Sequence, residues 1–475
     1  MSSQAIHFGT SGWRGIIGDD FTFPRVRRAS AAIAAHLKSR KKSPVVLVAG
    51  DSRFFSEEFA RASAEVLRRE GCRVLLCPGF TPTPAVAHAI LHSKLDGGVN
   101  ITASHNPYSY NGLKFSGPEG GPALPEATED IETRLEAIGE IAPSAGEHDG
   151  GHETDHGHFE TLDPREAYLE QLHKMVRFDI LRQAKGEFVF DALHGCGAGW
   201  LDWILAENDV RVTSLHTNRD VLFDGGAPDP SEKELGALKQ LLLEKKALAG
   251  LSTDGDAYRY GILDRDGTFI QPNHILALLF DYLLETRGVK LGTVRSVATT
   301  HLLDAVAGMH GVEVYETPVG FKYIGPYLRA DKIVIGGEES AGLTIRGHLP
   351  EKDGILACLL VAEMIAGRKS SLGEQLRNLF RRVGGEFWPV RKNLKVSEEV
   401  HAALPARLKR DYKEFNERKV ASSNHADGLK LVMEDGAWVL MRPSGTEPVV
   451  RVYTESASQE ESEKLAGEAR EWIGE

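Results

Sequence analysis

One pattern recurs three times along this chain and limits its fold more than any other feature. Residues 44 to 51, PVVLVAGD, form a short β-branched run ending in a Gly-Asp turn, which reads as a buried parallel strand. A helix is expected next: Ser56 stands where it can cap it, Phe59, Val66 and Leu67 repeat at helical spacing, and Gly71 closes it before a second strand, RVLLC. The same order of strand, Gly-rich turn, helix and strand returns at residues 188 to 215, FVFDALHGCGAGWLDWILAENDVRVTSL. It returns less sharply at residues 294 to 316, VRSVATTHLLDAVAGMHGVEVYE. Three such units predict three similarly built α/β domains, alike in pattern and not in residue identity. A chain of 475 residues exceeds what one core serves, and at roughly 150 residues per domain it has room for about three or four.

The polar, Gly-rich stretch 146 to 160, GEHDGGHETDHGHFE, lacks periodicity and predicts a linker after the first unit. Its His148, His152, His156 and His158 could capture a metal, but a solvated linker needs no such geometry. REAYLEQLHKMV then predicts an amphipathic helix opening the second domain. From about residue 380 the character changes. A charged helical stretch is expected over residues 399 to 417, and Asp435-Gly436 between two apolar runs predicts a hairpin. An amphipathic helix over 458 to 473 completes a smaller α+β domain.

Composition narrows the function. The formal charge of −12 works against the phosphate-coating surface that a nucleic-acid binder needs, so an anionic substrate requires a locally basic cleft. MSSQAIHFGTSGWRG lacks the basic, apolar and small-residue order of a signal peptide, and apolar runs such as IVIGG are too short to span a bilayer. Cys72, Cys77, Cys196 and Cys358 make no CxxC pair, which suggests neither a disulfide framework nor a zinc site and fits a reducing cytoplasm. Cys196, in HGCGAG, reads as a small buried hydrophobe rather than a reactive thiol.

Four loops hold the residues able to do chemistry. In GGVNITASHNPYSYNGLKF, residues 97 to 115, Ser104 sits at the apex of a strand-end loop, the usual place for ligands in α/β domains. His105 is a possible proton-transfer partner and Lys114 a cation able to hold phosphate. A polar turn in which Ser104 and Asn106 only bond backbone before Pro107 uses the same residues, and this segment alone leaves both readings open.

In STDGDAYRYGILD, residues 252 to 264, Asp254 and Asp256 stand on alternate positions before Arg259. Two hard carboxylates so placed can converge on one divalent cation such as magnesium, or can simply form an acidic turn. In VIGGEESAGLTIRGHLPEKDG, residues 334 to 354, Glu338, Glu339 and Ser340 suit the vicinal hydroxyls of a sugar. Lys352 and Asp353 precede an apolar helix whose first turn they can cap. In MRPSGTEPVVR, residues 441 to 451, Arg442, Ser444, Gly445 and Thr446 form either a phosphate-surrounding loop or a structural turn.

With GTSGWRG at residues 9 to 15, these loops resemble, in order and over nearly the whole chain, the α-D-phosphohexomutase superfamily of phosphoglucomutases and phosphomannomutases. The resemblance implies a heart-shaped α/β architecture of four domains around a central cleft, three with similar mixed sheets and a smaller α+β C-terminal one. They are expected at residues 1–155 (phosphoserine), 156–262 (metal), 263–378 (sugar recognition) and 379–475 (mobile, phosphate-binding). TASHNP resembles the phosphoserine loop, with Ser104 as phosphoryl carrier. DGDAYR resembles the metal loop, in which Asp254, Asp256 and Ser104 would hold magnesium. Arg14 and Arg259 would compensate charge, and Lys114 and His105 would move protons. Thr10, Ser11, Lys322, Glu338, Ser340 and Lys352 would contact the substrate, while Arg442, Ser444, Gly445 and Thr446 would clamp the phosphate that is not reacting.

The activity implied is an intramolecular phosphotransferase, an isomerase, interconverting glucose 1-phosphate and glucose 6-phosphate through a bisphosphate, with glucose 1,6-bisphosphate as activator. Small hexose phosphates would be its partners, with no nucleic acid and no membrane, in a monomer or homodimer. Glu338-Glu339-Ser340 with Lys352-Asp353-Gly354 looks more like phosphoglucomutases. The phosphoglucosamine and bifunctional mannose enzymes usually carry histidine where Gly342 stands. Phosphomannomutase, phosphoglucosamine mutase and a metal-impaired, phosphosugar-binding pseudoenzyme are the alternatives.

One position departs from the family pattern of three alternating aspartates: Tyr258 follows Asp254 and Asp256. A neutral phenol, with a reference pKa of about 10, is a poor magnesium ligand. Water or Asp264 could complete the site, the chain could be a weakened relative, or the tyrosine could be an introduced change. The other loops are intact, which favours an active design.

Overall fold

The computed structural model describes residues 6–9, 12–139, 141, 159–444 and 448–474. The expected strand is Val45–Gly50, inside a six-stranded mixed sheet ordered Trp13–Ile16, Tyr110–Ser116, Gly97–Ile101, Val45–Gly50, Arg73–Phe80, Glu160–Thr161. It runs parallel to both its neighbours, while the first three strands pair antiparallel. Its apolar run is two-faced. Val46 and Val48 pack with Ile33 of the helix Phe23–Lys38 and Phe59 of the helix Ser56–Arg69, whereas Leu47 and Ala49 pack with Val86 and Ile90 of the helix Thr83–His92. Alternation with both faces covered explains the continuous apolar reading. Each fully buried Val or Leu there contributes about 1.5–3 kcal/mol.

Gly71 closes the helix Ser56–Arg69 in left-handed backbone (φ +92°) as expected, but Ser56 does not cap it. The N-cap is Phe55, and the Ser56 hydroxyl instead donates to Asp51 Oδ1 at 2.8 Å. Asp51 directly follows the parallel strand, is fully buried, and accepts at Oδ1 from both Arg53 N and Ser56 Oγ.

The second recurrence forms a four-stranded sheet ordered Tyr260–Asp264, Ala249–Thr253, Phe188–Asp191, Val212–Leu215, antiparallel at the first pair and parallel after it. The helix Leu201–Glu207 follows the Gly-rich turn, and REAYLEQLHKM forms the helix Arg165–Met175. These elements share one unit, Met1–Ile270 with Ala341–Ser371.

A second unit comprises Gln271–Ser340 and Leu372–Glu475. Its strands Val314–Thr317, Gly292–Ser296 and Ile333–Glu338 are parallel neighbours, with the helix Leu302–His310 where the third recurrence predicts one. Its C-terminal part is a six-stranded antiparallel sheet ordered Trp388–Lys395, Val449–Ser456, Trp438–Pro443, Leu429–Met433, Arg418–Asn424, Glu414–Phe415, packed against the helix Gln459–Gly474. The Asp435-Gly436 hairpin forms, with Gly436 at φ +88°. The helix expected over 399 to 417 is only Glu398–Leu408. Asn416 and Glu417 both adopt left-handed backbone (φ 46° and 65°) and turn Glu414–Phe415 back onto Arg418–Lys419 as a hairpin.

All four cysteines are free and buried. Among the described residues no helix is long and apolar enough to cross a membrane. Most of the predicted linker, with His148, His152, His156 and His158, lies outside the described residues, as do Thr10, Ser11, Gly445 and Thr446.

Candidate active site

The segment TASHNP connects the strands Gly97–Ile101 and Tyr110–Ser116. Ser104 adopts φ +56°, a region costly for a residue with a Cβ. Its neighbours hold it there. Thr102 Oγ1 accepts from Ser104 N at 2.9 Å, and the buried Arg53 guanidinium donates to the carbonyls of Ser104 (2.7 Å), Asn106 (2.6 Å), Pro107 (2.9 Å) and Tyr110 (3.1 Å). Arg53 is itself paired with Asp51 (3.2 Å).

The loop 254–259 meets this turn. Gly255 allows the approach, since a Cβ on it would lie 2.6 Å from Ser104 O. Ser104 Oγ donates to Asp254 Oδ2 at 2.6 Å, and Asp254 Oδ1 accepts from the backbone N–H of Tyr258 (2.7 Å) and Arg259 (2.8 Å). Asp256 Oδ2 accepts from Lys114 Nζ and from Thr83 Oγ1, both at 2.5 Å. Lys114 reaches it from the strand Tyr110–Ser116, where it pairs with Asn100.

Buried and half-buried cations crowd this point. Burial, and after it Arg259, lower the Arg14 guanidinium to about 10. Burial, then Arg259, Arg14, Lys114 and Arg53, hold the His105 imidazole well below its ordinary range, so it is neutral at pH 7. Its Nδ1 lies 3.5 Å from Ser104 Oγ, at the outer limit of a hydrogen bond. Arg14 donates to Asn106 Oδ1 at 2.5 Å, and Arg259 Nε is a buried donor with no hydrogen-bond partner among the described residues.

The carboxylates split. Burial and the charge of Asp256 raise Asp254, whereas at Asp256 burial is outweighed by Lys114, which holds it low. Asp256 Oδ1 is buried and has no hydrogen-bond partner among the described residues. An unpaired carboxylate oxygen beside a second carboxylate and a serine oxygen is a donor set that fits a hard divalent cation such as magnesium.

Tyr258 is 4% exposed, and its hydroxyl donates to Glu351 Oε1 at 2.5 Å. Its ring lies beneath Lys114 Nζ (4.2 Å to the centroid), with Lys352 Nζ at 5.3 Å. Burial pushes Glu351 up to about 7. Asp264 Oδ1 accepts from Arg265 N in the turn that follows its strand. Lys352 lies along Gly342, where a Cβ would meet its Cδ at 2.1 Å. Asp353 takes the capping role, Oδ1 accepting from Leu356 N at 2.8 Å.

In the second unit Glu338 Oε1 accepts from Gly320 N (2.7 Å), two residues before Lys322. Ser340 follows two residues after Glu338 and is partly buried. Arg442 Nε donates to Asp427 Oδ1 (2.7 Å), and Asp427 Oδ2 accepts from Val319 N (3.0 Å). Ser444 N donates to Val449 O at 2.8 Å and Ser444 O lies 3.0 Å from His401 Nε2.

Sequence reasoning missed Arg53, Thr83 and Glu351. The signal for Arg53 was present in GDSRF at the C-terminal end of a parallel strand, where α/β sheets place their ligand-facing loops. Cys196 is buried, which pushes its thiol well up, as a small core residue requires.

Four family models cover most of the chain: phosphoglucomutase/phosphomannomutase α/β/α domain I over residues 5–142, domain II over 166–267, domain III over 271–383 and the C-terminal domain over 392–471. A phosphoglucomutase/phosphomannomutase of Thermococcus kodakarensis is 30% identical, covering 96% of this chain and 95% of that protein. A Pyrococcus abyssi protein assigned as a phosphoglucosamine mutase is also 30% identical, over 98% of this chain and 97% of its own. A crystal structure from Thermus thermophilus, assigned as a phosphomannomutase, superposes with a TM-score of 0.85 at 34% identity over 99% of each chain. By all four of its domains, this chain belongs to the phosphoglucomutase/phosphomannomutase family of the α-D-phosphohexomutase superfamily and is a hexose-phosphate mutase, an isomerase.

Proposed function

We propose that this enzyme interconverts glucose 1-phosphate and glucose 6-phosphate and carries the travelling phosphoryl group on Ser104. The supporting observation is the strained Ser104, its Oγ 2.6 Å from Asp254 among the cations Arg14, Arg53, Lys114 and Arg259, of which Arg53 and Lys114 are buried and the other two half-buried. Such a field stabilises a phosphoryl group and discourages a neutral role for the serine.

Phosphorylated Ser104 gives its phosphoryl group to the free hydroxyl of the sugar monophosphate. The resulting bisphosphate turns around and returns its other phosphoryl group to Ser104. His105, kept neutral beside Ser104 Oγ, is suited to accept the proton of the attacking hydroxyl. Lys114 stays paired with Asp256, and with Arg14 and Arg259 it offsets charge on the phosphoryl oxygens. Magnesium held by Asp254, Asp256 and an oxygen on Ser104 would supply further positive charge there.

The domains at 1–155, 156–262, 263–378 and 379–475 would supply the phosphoserine, metal, sugar and phosphate loops in turn. Lys322, Glu338, Ser340 and Lys352 would read the sugar, with Thr10 and Ser11 also touching it. Arg442, Ser444, Gly445 and Thr446 would hold the second phosphate. Glucose is preferred because Gly342 leaves room for the Lys352 stem, which a larger side chain would displace. A cytoplasmic setting suits four free, buried thiols.

The test is a coupled assay of glucose 6-phosphate formation from glucose 1-phosphate, with magnesium and a trace of glucose 1,6-bisphosphate, run beside mannose and glucosamine phosphates. Turnover is expected to favour glucose; no turnover with any of the three would end the proposal. Tyr258 supports a second reading, a phosphosugar-binding protein without turnover. That reading predicts ligand binding that survives Ser104→Ala and no phosphate on Ser104.

A further inference from the structure

We propose that His194, His216 and Asp224 form a zinc-binding site, apart from Asp254 and Asp256, that fastens the segment 216–228 to the end of the strand Phe188–Asp191. Their ligand atoms all lie within 4.8 Å of one another. Both imidazoles address the same carboxylate oxygen: Asp224 Oδ2 is 3.2 Å from His194 Nε2 and 3.6 Å from His216 Nε2.

The opposite edge of each ring fixes its tautomer. His194 Nδ1 lies 2.9 Å from the carbonyl of Asn218, which only accepts, so Nδ1 carries the proton. His216 Nδ1 lies 2.8 Å from Asp191 Oδ1, which also accepts from Leu193 N at 2.9 Å. With Nδ1 of each ring turned to its own acceptor, both Nε2 atoms face Asp224. Three acceptor atoms converging in this way call for a proton or a metal cation among them. One divalent ion placed among the three ligand atoms would satisfy all of them at once.

A ring N–H donated to a carbonyl or a carboxylate is how proteins orient metal-bound histidines. Two imidazoles and one carboxylate suit zinc, with water in the remaining position. His194 is buried while the Asp224 side chain is 68% exposed, which leaves an entry path. The consequence reaches the phosphoserine loop. The same segment sends Arg219 to the carbonyls of Ser52 (3.1 Å) and Arg53 (3.2 Å), and Gly226 O accepts from Tyr108 N (3.3 Å). The ion would therefore act on Ser104 by positioning its supports, without touching substrate.

The test uses the full-length chain stripped of metal, in a background with His148, His152, His156 and His158 replaced by serine so that the linker cannot contribute. The chain is dialysed against zinc with magnesium in excess, and bound zinc is counted in the parent, His216→Asn and Asp224→Asn. Asparagine tolerates the left-handed backbone at both positions (φ 47° and 54°), and Asp224 is largely exposed, so both variants should fold. The parent is expected to hold one more zinc per chain than either variant, to gain thermal stability from zinc when they do not, and to show a cobalt ligand-field band that they lack. Equal zinc content in all three, or a cobalt band that survives both substitutions, overturns the proposal.

Discussion

Replacing Tyr258 with phenylalanine separates two accounts of why a tyrosine follows Asp254 and Asp256 in the proposed metal loop. The substitution keeps the ring beneath Lys114 and removes the hydroxyl that donates to Glu351 at 2.5 Å. Glu351 is 3% exposed, and its Oε1 also accepts from Lys352 N at 2.9 Å, so a buried oxygen loses its charge-assisted donor. That costs about 1–3 kcal/mol, limited by the ease with which a carboxyl already pushed up to about 7 takes a proton instead. Urea titration at pH 8, where Glu351 is ionised, should read the loss. Magnesium titration of activity should be unmoved, because the phenol serves Glu351 and not the cation. A rise of about tenfold or more in the half-activating magnesium concentration, equal to about 1.4 kcal/mol, would show that the phenol is a ligand and refute this reasoning. Tyr258→Asp is the converse. It forfeits the buried ring at a cost of about 3–5 kcal/mol, yet should lower the half-activating magnesium concentration by adding a carboxylate. An unchanged or higher concentration would show that the site lacks no ligand.

Gly255→Ala would place a Cβ 2.6 Å from Ser104 O and 2.9 Å from Pro228 Cγ, so kcat should fall by about tenfold or more while the fold survives; unaltered kcat would disprove the close approach. Gly342→His should push the Lys352 stem aside and reduce the preference for glucose over mannose and glucosamine phosphates, read as a ratio of kcat/KM values; an unaltered ratio would remove Lys352 from sugar choice. His274 is buried, with Nε2 2.7 Å from Phe387 O, and burial lowers it from 6.5 to about 4. Because its folded-state pKa is depressed, its contribution is present above pH 6.5 and lost as pH falls towards 4, by about 3 kcal/mol. Denaturant titrations across that window should slope less in His274→Gln than in the parent; equal slopes would contradict the assignment.

The fold was legible where local pattern and tertiary packing agree. PVVLVAGD reads as a parallel strand because Val46 and Val48 face one layer of helices and Leu47 and Ala49 the other. Asp435-Gly436 reads as a hairpin because its turn needs a left-handed glycine. The stretch after Leu408 misleads because Glu417, at φ 65°, carries no local sign that it will occupy a position suited to glycine. Ser56 misleads because Asp51, five residues away, outcompetes the helix end for its hydroxyl. At the site, the residues proposed to react lie in recognisable loops, but their supports do not. Arg53 binds carbonyls 51 to 57 residues away, and Glu351 meets Tyr258 across 93 residues. No periodicity encodes such meetings. The pairing of His194 and His216 through Asp224 is hidden for the same reason.

The central claim is that Ser104 carries the phosphoryl group, and intact-protein mass spectrometry tests it most directly. After incubation with glucose 1,6-bisphosphate and magnesium, the parent should gain the mass of one phosphoryl group, located on Ser104 by peptide mapping and returned to added glucose 1-phosphate. Ser104→Ala should gain none and should lose mutase activity. A parent that never gains this mass, a phosphoryl group on another residue, or turnover that persists in Ser104→Ala would contradict the account.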